Sequence, residues 1–161
     1  MKTGLRIFAA FMGVVLLDGV TKIWAEQVLT SPSPLIGQAF QLTLGYNTGV
    51  AFGLFANSGI FPLIVTGIII AGMIIGLVVA FRRGEFPAVS HIPIGIILGG
   101  AVANFADRLP DGRVTDFLDF GLGAARWPTF NLADSFIVVG VVLLTITSML
   151  PHHKLNEEVE G

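Results

Sequence analysis

The chain has 161 residues, of which 53% are hydrophobic and only 12% charged, and its mean hydropathy is +0.82. Soluble domains carry about 25% charged residues, so most of this chain is expected to be solvated by lipid. A formal net charge of −2 without a basic patch gives no support for nucleic-acid binding, and the absence of cysteine excludes disulfides, thiolate metal sites and cysteine nucleophiles.

Four apolar segments are long enough to be membrane-spanning helices, since a hydrocarbon core of about 30 Å requires about 20 apolar residues. They cover residues 5–24, 60–81, 92–108 and 134–150. The last two are short, and each carries a polar motif at one end. The sequence therefore predicts a single membrane domain over residues 1–161, with all-α spans and two long connections.

The first segment also has features of a signal peptide, because Lys2 and Arg6 precede the apolar run 7–17. Asp18 and Lys22, however, occupy the place of the small residues of a cleavage site. No large soluble domain follows for export. We therefore predict that this segment is retained as the first helix.

The basic residues predict the orientation of the helices, because cytoplasmic loops are enriched in Lys and Arg. Five of the nine flank the chain start, the second-to-third connection and the tail: Lys2, Arg6, Arg82, Arg83 and Lys154. The other four lie in or beside polar motifs, where function could retain them: Lys22, Arg108, Arg113 and Arg126. Both termini and the tail 151–161 are predicted to be cytoplasmic, with connections 25–59 and 109–133 outside.

The two outer connections carry strand-like segments. Residues 40–47 alternate between apolar and polar or small side chains, and a turn-rich segment, 47–53, follows. Residues 114–120 are again strand-like and follow the turn signal at 110–112. We predict a small β platform on the outer face, over the helix ends. All six aspartates fall at this face: Asp18, Asp107, Asp111, Asp116, Asp119 and Asp134.

Two helix ends carry polar pairs at i,i+4 spacing. Asp18 and Lys22 are expected to form an ion pair in which the two charges neutralise each other. The pair would position other residues rather than take part in a reaction. Asn104 and Arg108 share a face at the end of the third segment. They are either helix-end anchors with extended side chains or hydrogen-bond donors to a carboxylate or a substrate carbonyl, and the motif alone leaves both open.

Asn131 and Asp134 have the spacing of a capping box before the fourth apolar segment. Capping alone would explain both residues, although the same geometry would hold Asp134 rigidly at a helix start. Asp116 lies in a strand-like segment among apolar residues. The alternative to a functional role is that it is a solvated loop residue. Two carboxylates that share one site can divide the roles of base and proton donor. This pattern favours an aspartic protease acting at a membrane surface.

Five motifs, in this order, resemble the lipoprotein signal peptidase family, also called signal peptidase II. The matching pieces are Asp18-Gly-Val-Thr-Lys22, Asn47-Thr-Gly49-Val-Ala-Phe52, the run from Gly99 to Arg108, Val114-Thr-Asp116-Phe117 and Phe130-Asn131-Leu-Ala-Asp134-Ser135. Together with the length of the chain and its four predicted helices, these motifs extend the resemblance over nearly the whole chain. The resemblance implies that Asp116 and Asp134 are the catalytic pair. It implies that the site is shaped and supported by Asp18, Lys22, Asn47, Gly49, Asn104, Arg108 and Asn131.

The family resemblance also implies an activity. The protein would be an aspartic endopeptidase of the bacterial cytoplasmic membrane that removes the signal peptide from diacylglyceryl-modified prolipoproteins, cutting before the lipidated cysteine. It would act as a monomer among membrane lipids, at the outer face, without a metal or cofactor. An ion-coupled transporter and a purely structural membrane subunit are the alternatives from other classes. The transporter is disfavoured because the charges gather at one face and no inverted repeat is visible.

Overall fold

The computed structural model describes residues 2–37, 39–50 and 53–149. Four long helices account for most of these residues: α1 (Lys2–Val28), α2 (Phe61–Arg82), α3 (His91–Arg108) and α4 (Leu132–Met149). A 3-10 turn, Ala88–Ser90, leads into α3. The strands are β1 (Ser33–Ile36), β2 (Phe40–Asn47), β3 (Val114–Leu122) and β4 (Ala125–Arg126). Residues 150–161, which include the predicted cytoplasmic tail, lie outside the described residues.

All four helices are long and apolar enough to cross a membrane. Each predicted segment overlaps one of them. The main difference is at α1, which continues to Val28 instead of ending at residue 24. The reason is packing, because the additional turn includes Ala25, which is fully buried in a cluster with Leu29 and Phe117 of β3.

Glycines allow α3 to pack closely between α1 and α4. A Cβ at Gly95 would lie 2.4 Å from the carbonyl oxygen of Ile7 in α1, and one at Gly99 would lie 2.8 Å from that of Phe11. A Cβ at Gly100 would lie 2.6 Å from the carbonyl oxygen of Ala133 in α4. Such distances are shorter than van der Waals contact, so small residues are required where these backbones meet.

The strands form one antiparallel sheet in the order β1-β2-β3-β4. The two strand-like segments predicted from the sequence, 40–47 and 114–120, are β2 and β3, which are the central strands. Gly45 lies opposite Asp116, and Tyr46 lies opposite Thr115, after a shift in register that follows Leu42. The sheet therefore carries Asp116 to the ends of α1, α3 and α4.

We predict that Gly99→Val lowers the stability of the protein by about 1–3 kcal/mol, because the added methyl groups would overlap α1. Gly72→Val in α2 is the matched control, since a Cβ at that position would meet no atom within 4 Å apart from its chain neighbours and its own helix backbone. Thermal unfolding in detergent micelles measures both. Equal melting temperatures for the two variants would contradict this packing.

Candidate active site

The capping box at the start of α4 is present as predicted. The side-chain oxygen of Asn131 accepts a hydrogen bond from the Asp134 N–H at 2.9 Å. In return, the Asn131 N–H donates to Asp134 Oδ2 at 3.3 Å. Both bonds satisfy N–H groups that a helix start otherwise leaves without partners. The Asp134 carboxyl group is consequently held in the first turn of α4.

The side-chain amide of Asn131 also joins this helix start to β3. Its Nδ2 donates to Asp116 Oδ1 at 2.8 Å and lies 3.2 Å from the carbonyl oxygen of Thr115. A third acceptor, Asn104 Oδ1, lies at 3.1 Å. Asn131 is completely buried. One residue therefore contacts both aspartates that the sequence paired.

Asn104 makes the second link to Asp134. Its Nδ2 donates to Asp134 Oδ1 at 2.8 Å, while its Oδ1 accepts from Lys22 Nζ at 2.8 Å. Of the two interpretations left open for Asn104, the structure shows the bond to a carboxylate. The ammonium group of Lys22 can only donate hydrogen bonds, so the Asn104 side chain must turn its oxygen towards Lys22 and its nitrogen towards Asp134.

Lys22 and Asp18 form the predicted ion pair, with Nζ and Oδ2 2.7 Å apart, and both side chains are buried. The pair has further partners. Asp18 Oδ1 accepts from the Ala133 N–H at 2.8 Å, and Lys22 Nζ lies 3.2 Å from Asp107 Oδ2. Buried charges are tolerated where hydrogen bonds satisfy them on several sides. The pair thus connects α1 to both α3 and α4.

Arg108 is also buried, and its described contact is with a backbone carbonyl. Its Nη2 donates to the carbonyl oxygen of Gly49 in the turn after β2. The Gly49 N–H in turn donates to Asn47 Oδ1 at 2.8 Å. A Cβ at Gly49 would lie 2.5 Å from the carbonyl oxygen of Leu54, so the turn requires glycine there. Asn47 and Gly49 therefore join the site through Arg108.

The surroundings of Asp116 favour its protonated form. Burial, followed by the neighbouring charge of Asp134, raises its pKa from 3.8 to about 7. The hydrogen bond from Asn131 and the positive charge of Lys22 oppose this rise. Near neutral pH the group is consequently present in both protonation states.

The structure divides the six aspartates into two groups, which the sequence alone did not do. Asp18, Asp107, Asp116 and Asp134 belong to the buried network described above. The remaining two pair with arginines elsewhere: Asp111 with Arg113 at 2.7 Å and Asp119 with Arg126 at 2.6 Å. Among the residues that the structure describes, no group of three or more His, Cys, Asp or Glu could hold a metal ion.

Asp107 was not assigned a role from the sequence, although it precedes Arg108 in a recognised motif. Its Oδ2 accepts from the Thr115 N–H at 2.8 Å as well as pairing with Lys22. Glu26, also unassigned, accepts from Thr115 Oγ1 at 3.1 Å. The motif was the available signal for Asp107. No local pattern pointed to Glu26.

Known structures share this arrangement of helices and sheet. A bacterial membrane enzyme solved by the in meso method at 2.3 Å superimposes with a TM-score of 0.74 and 29% identity, over 89% of this chain and 86% of that one. A second, solved at 1.9 Å, gives 0.73 and 28%, over 91% and 93%. With its four apolar helices, the chain is therefore a multi-pass membrane protein with the fold of these enzymes.

Sequence comparison identifies the family. The model for signal peptidase (SPase) II matches residues 10–150. The lipoprotein signal peptidase of Pelotomaculum thermopropionicum is 39% identical over 140 residues, which cover 86% of this chain and 88% of that protein. That of Serratia proteamaculans is 38% identical over 162 residues, covering 99% and 95%. The chain belongs to the signal peptidase II family.

We predict that Asn131→Ser raises the pKa of Asp116 above about 7. Serine is an equally good N-cap, so α4 should still begin at the same place. The amide that stabilises the ionised Asp116 is lost, and the pKa of a carboxyl group rises when such a donor is removed. NMR titration of protein with carboxyl-labelled aspartate measures the change. A pKa equal to or below the wild-type value would contradict this role of Asn131.

Proposed function

We propose that the protein is a membrane-embedded aspartic endopeptidase that removes the signal peptide from diacylglyceryl-modified prolipoproteins, cutting before the lipidated cysteine. The substrate class comes from the family, whose members are named lipoprotein signal peptidase. The observation that carries the mechanism is the contact of Asn131 with both Asp116 and Asp134. Two carboxyl groups that share a buried partner are able to act on one bound peptide.

The first element of the mechanism is a shared proton. Neighbouring buried carboxylates disfavour each other's ionisation, so such a pair retains one proton near neutral pH. A pKa of about 7 for Asp116 agrees with this state. The pair then contains one carboxylate and one carboxylic acid, which are the two forms that peptide hydrolysis requires.

The chemical steps follow from that state. The ionised aspartate removes a proton from a bound water molecule, and general-base assistance of this kind contributes about 10²–10⁴-fold. The water oxygen attacks the carbonyl carbon before the lipidated cysteine, while the protonated aspartate donates a hydrogen bond to the developing oxyanion. The C–N bond then breaks as the leaving nitrogen receives a proton from the aspartate pair, which has gained one from the water. The carboxyl groups hold both proton-transfer roles, so the proposed reaction needs no metal or cofactor.

The other polar residues hold this pair in place. Asn104 orients Asp134, and Lys22 with Asp18 keeps Asn104 and the start of α4 in position. Arg108 holds the turn that contains Gly49 near the same helix ends. With its other donors Arg108 is able to bind a substrate carbonyl, which is the role that the sequence left open.

The proposed location follows the basic-residue distribution, with both termini cytoplasmic and the sheet at the outer face. The substrate's acyl chains would lie in the bilayer beside the helices, whose lipid-facing side chains are apolar and exposed, as at Ile68, Ile75 and Val138. The scissile peptide would then reach the helix ends beneath the sheet. We propose that a single copy of the chain is sufficient.

We predict that Asp116→Asn and Asp134→Asn each abolish cleavage of a purified diacylglyceryl-modified prolipoprotein, with a chelator present throughout. Either substitution removes the group that exchanges a proton with water or with the leaving nitrogen. Asp111→Asn is the matched control, because Asp111 is about half-exposed and pairs with Arg113 outside the network. We expect it to cleave normally. Near-normal cleavage by either of the first two variants would contradict the assignment.

We also predict that Asp116→Asn stabilises the folded protein relative to wild type as the pH rises. The pKa of Asp116 is about 7 when folded and close to 3.8 when unfolded, so the folded state binds more protons between these values. The stability of the wild type should therefore fall from about pH 4 to pH 7, whereas asparagine does not titrate. Melting temperatures at pH 5 and pH 8 measure the effect. A difference between the proteins that is the same at both pH values would contradict it.

A further inference from the structure

Thr115, the residue before Asp116, is held by three separate helical elements. Its N–H donates to Asp107 Oδ2 at 2.8 Å, at the end of α3. Its Oγ1 donates to Glu26 Oε1 at 3.1 Å, in the last turns of α1. Its carbonyl oxygen accepts from Asn131 Nδ2 at 3.2 Å, at the start of α4. All three polar groups of this one residue are therefore used, and only 4% of it is exposed.

We propose that Thr115 is a positioning residue for Asp116, and that its hydroxyl bond to Glu26 sets the distance of Asp116 from the α4 aspartate. The inference rests on the proposed function, because it assigns a role in the same reaction. In these described bonds, neither Thr115 nor Glu26 contacts the side chain of Asp116 or Asp134, so the effect acts through the backbone of β3.

The geometry of a strand explains how a residue that faces away from the site can act on it. Successive side chains of a strand point to opposite faces. Thr115 and Phe117 therefore share one face of β3, and both contact the end of α1, Phe117 through Ala25 and Leu29. Asp116 points to the other face, where Asn131 meets it. The hydroxyl of Thr115 thus binds α1 on the face of the strand opposite to the Asp116 carboxyl group.

The pairing between β2 and β3 holds one edge of β3 at this point. Their ladder shifts register between Leu42 and Gly45, immediately before the positions opposite Asp116 and Thr115. The chain advances three residues on β2 against two on β3 there, so the extra residue lies in β2, and β3 stays paired at Asp116, Thr115 and Val114. The contacts of Thr115 with the three helical elements act together with this pairing to fix the height of Asp116 above the helix ends. Displacements of about 1 Å are able to reduce a catalysed rate about 10²-fold.

The test is a set of kcat and KM measurements on the lipid-modified substrate. Thr115→Val removes the hydroxyl and keeps the β-branched shape that suits a strand. We expect kcat to fall about tenfold while KM changes less than about twofold, because an interaction that orients a reacting group affects the chemical step. Thr115→Ser restores the hydroxyl and should restore kcat to within about threefold of wild type.

Thr43→Val is the matched control, because Thr43 makes the same kind of bond in the same sheet. Its Oγ1 donates to Asp119 Oδ2 at 3.0 Å, in the group of aspartates outside the site. We expect its kcat to equal that of wild type. Equal losses in Thr43→Val and Thr115→Val would overturn the proposal, because the effect would then be one of general sheet stability.

A second variant tests the same bond from the other side. Glu26 is exposed on α1, so Glu26→Ala should fold normally. We expect it to lower kcat as much as Thr115→Val does, and the double variant to be no slower than either single one. Independent, multiplying effects would overturn the proposal, as would a normal kcat for Glu26→Ala.

These outcomes are distinguishable from failure of the proposed function. If Asp116→Asn is inactive but Thr115→Val retains wild-type kcat, the positioning role is overturned and the peptidase assignment stands. A loss confined to KM would also overturn the positioning role. If Asp116→Asn still cleaves, the peptidase assignment itself fails, whatever the Thr115 variants do.

Discussion

The candidate site depends on the hydrogen bonds that the side chain of Asn131 makes to Asp116 and Asp134. The Asn131 oxygen caps α4 and so fixes where the helix starts and where Asp134 lies in the first turn, while the Asn131 nitrogen binds Asp116 on β3. A buried amide needs hydrogen-bond partners at both its oxygen and its nitrogen. The start of a helix and the position of a strand are therefore coupled through one residue, and the two carboxyl groups come together as a result.

That coupling works only because the helices approach each other closely. The absence of side chains at Gly95, Gly99 and Gly100 brings the backbones of α1 and α4 against α3. At this separation the Lys22 ammonium reaches Asn104, and the Asn104 amide reaches Asp134. Bulkier residues along α3 would separate the same side chains beyond hydrogen-bond distance. The apolar, glycine-rich parts of the spans thus determine the geometry of the polar site at their ends.

The parts of the structure that the sequence predicted well are those with a local signal. The capping box, the Asp18–Lys22 pair and the two central strands follow from spacing or alternation within a few residues. The partner of Arg108 and the division of the six aspartates depend on segments far apart in the chain, so spacing could not predict them. The Glu26–Thr115 bond joins residues 89 positions apart and has no motif at either end. The predicted orientation in the membrane and the monomeric state remain predictions.

The hydrogen-bonded network stabilises the ionised form of Asp116 only in part. Asp116 is 2% exposed and has a pKa of about 7, so its ionised form is disfavoured in the folded protein. The amide of Asn131 and the charge of Lys22 oppose this effect without cancelling it. The opposing effects leave the pKa of Asp116 at about 7, so a proton remains available there near neutral pH. This is the property that a general acid–base pair requires.

Infrared spectroscopy of the purified protein would test most directly whether Asp116 and Asp134 share one proton. A protonated carboxyl group has a C=O stretching band that an ionised carboxylate lacks, and spectra taken at about pH 6, below the pKa of Asp116, count such groups. We expect one buried protonated carboxyl in the wild type, with a band that is altered or lost in both Asp116→Asn and Asp134→Asn and unaffected by Asp111→Asn. A wild-type spectrum in which both aspartates are fully ionised below pH 7 would contradict the shared proton and the mechanism built on it.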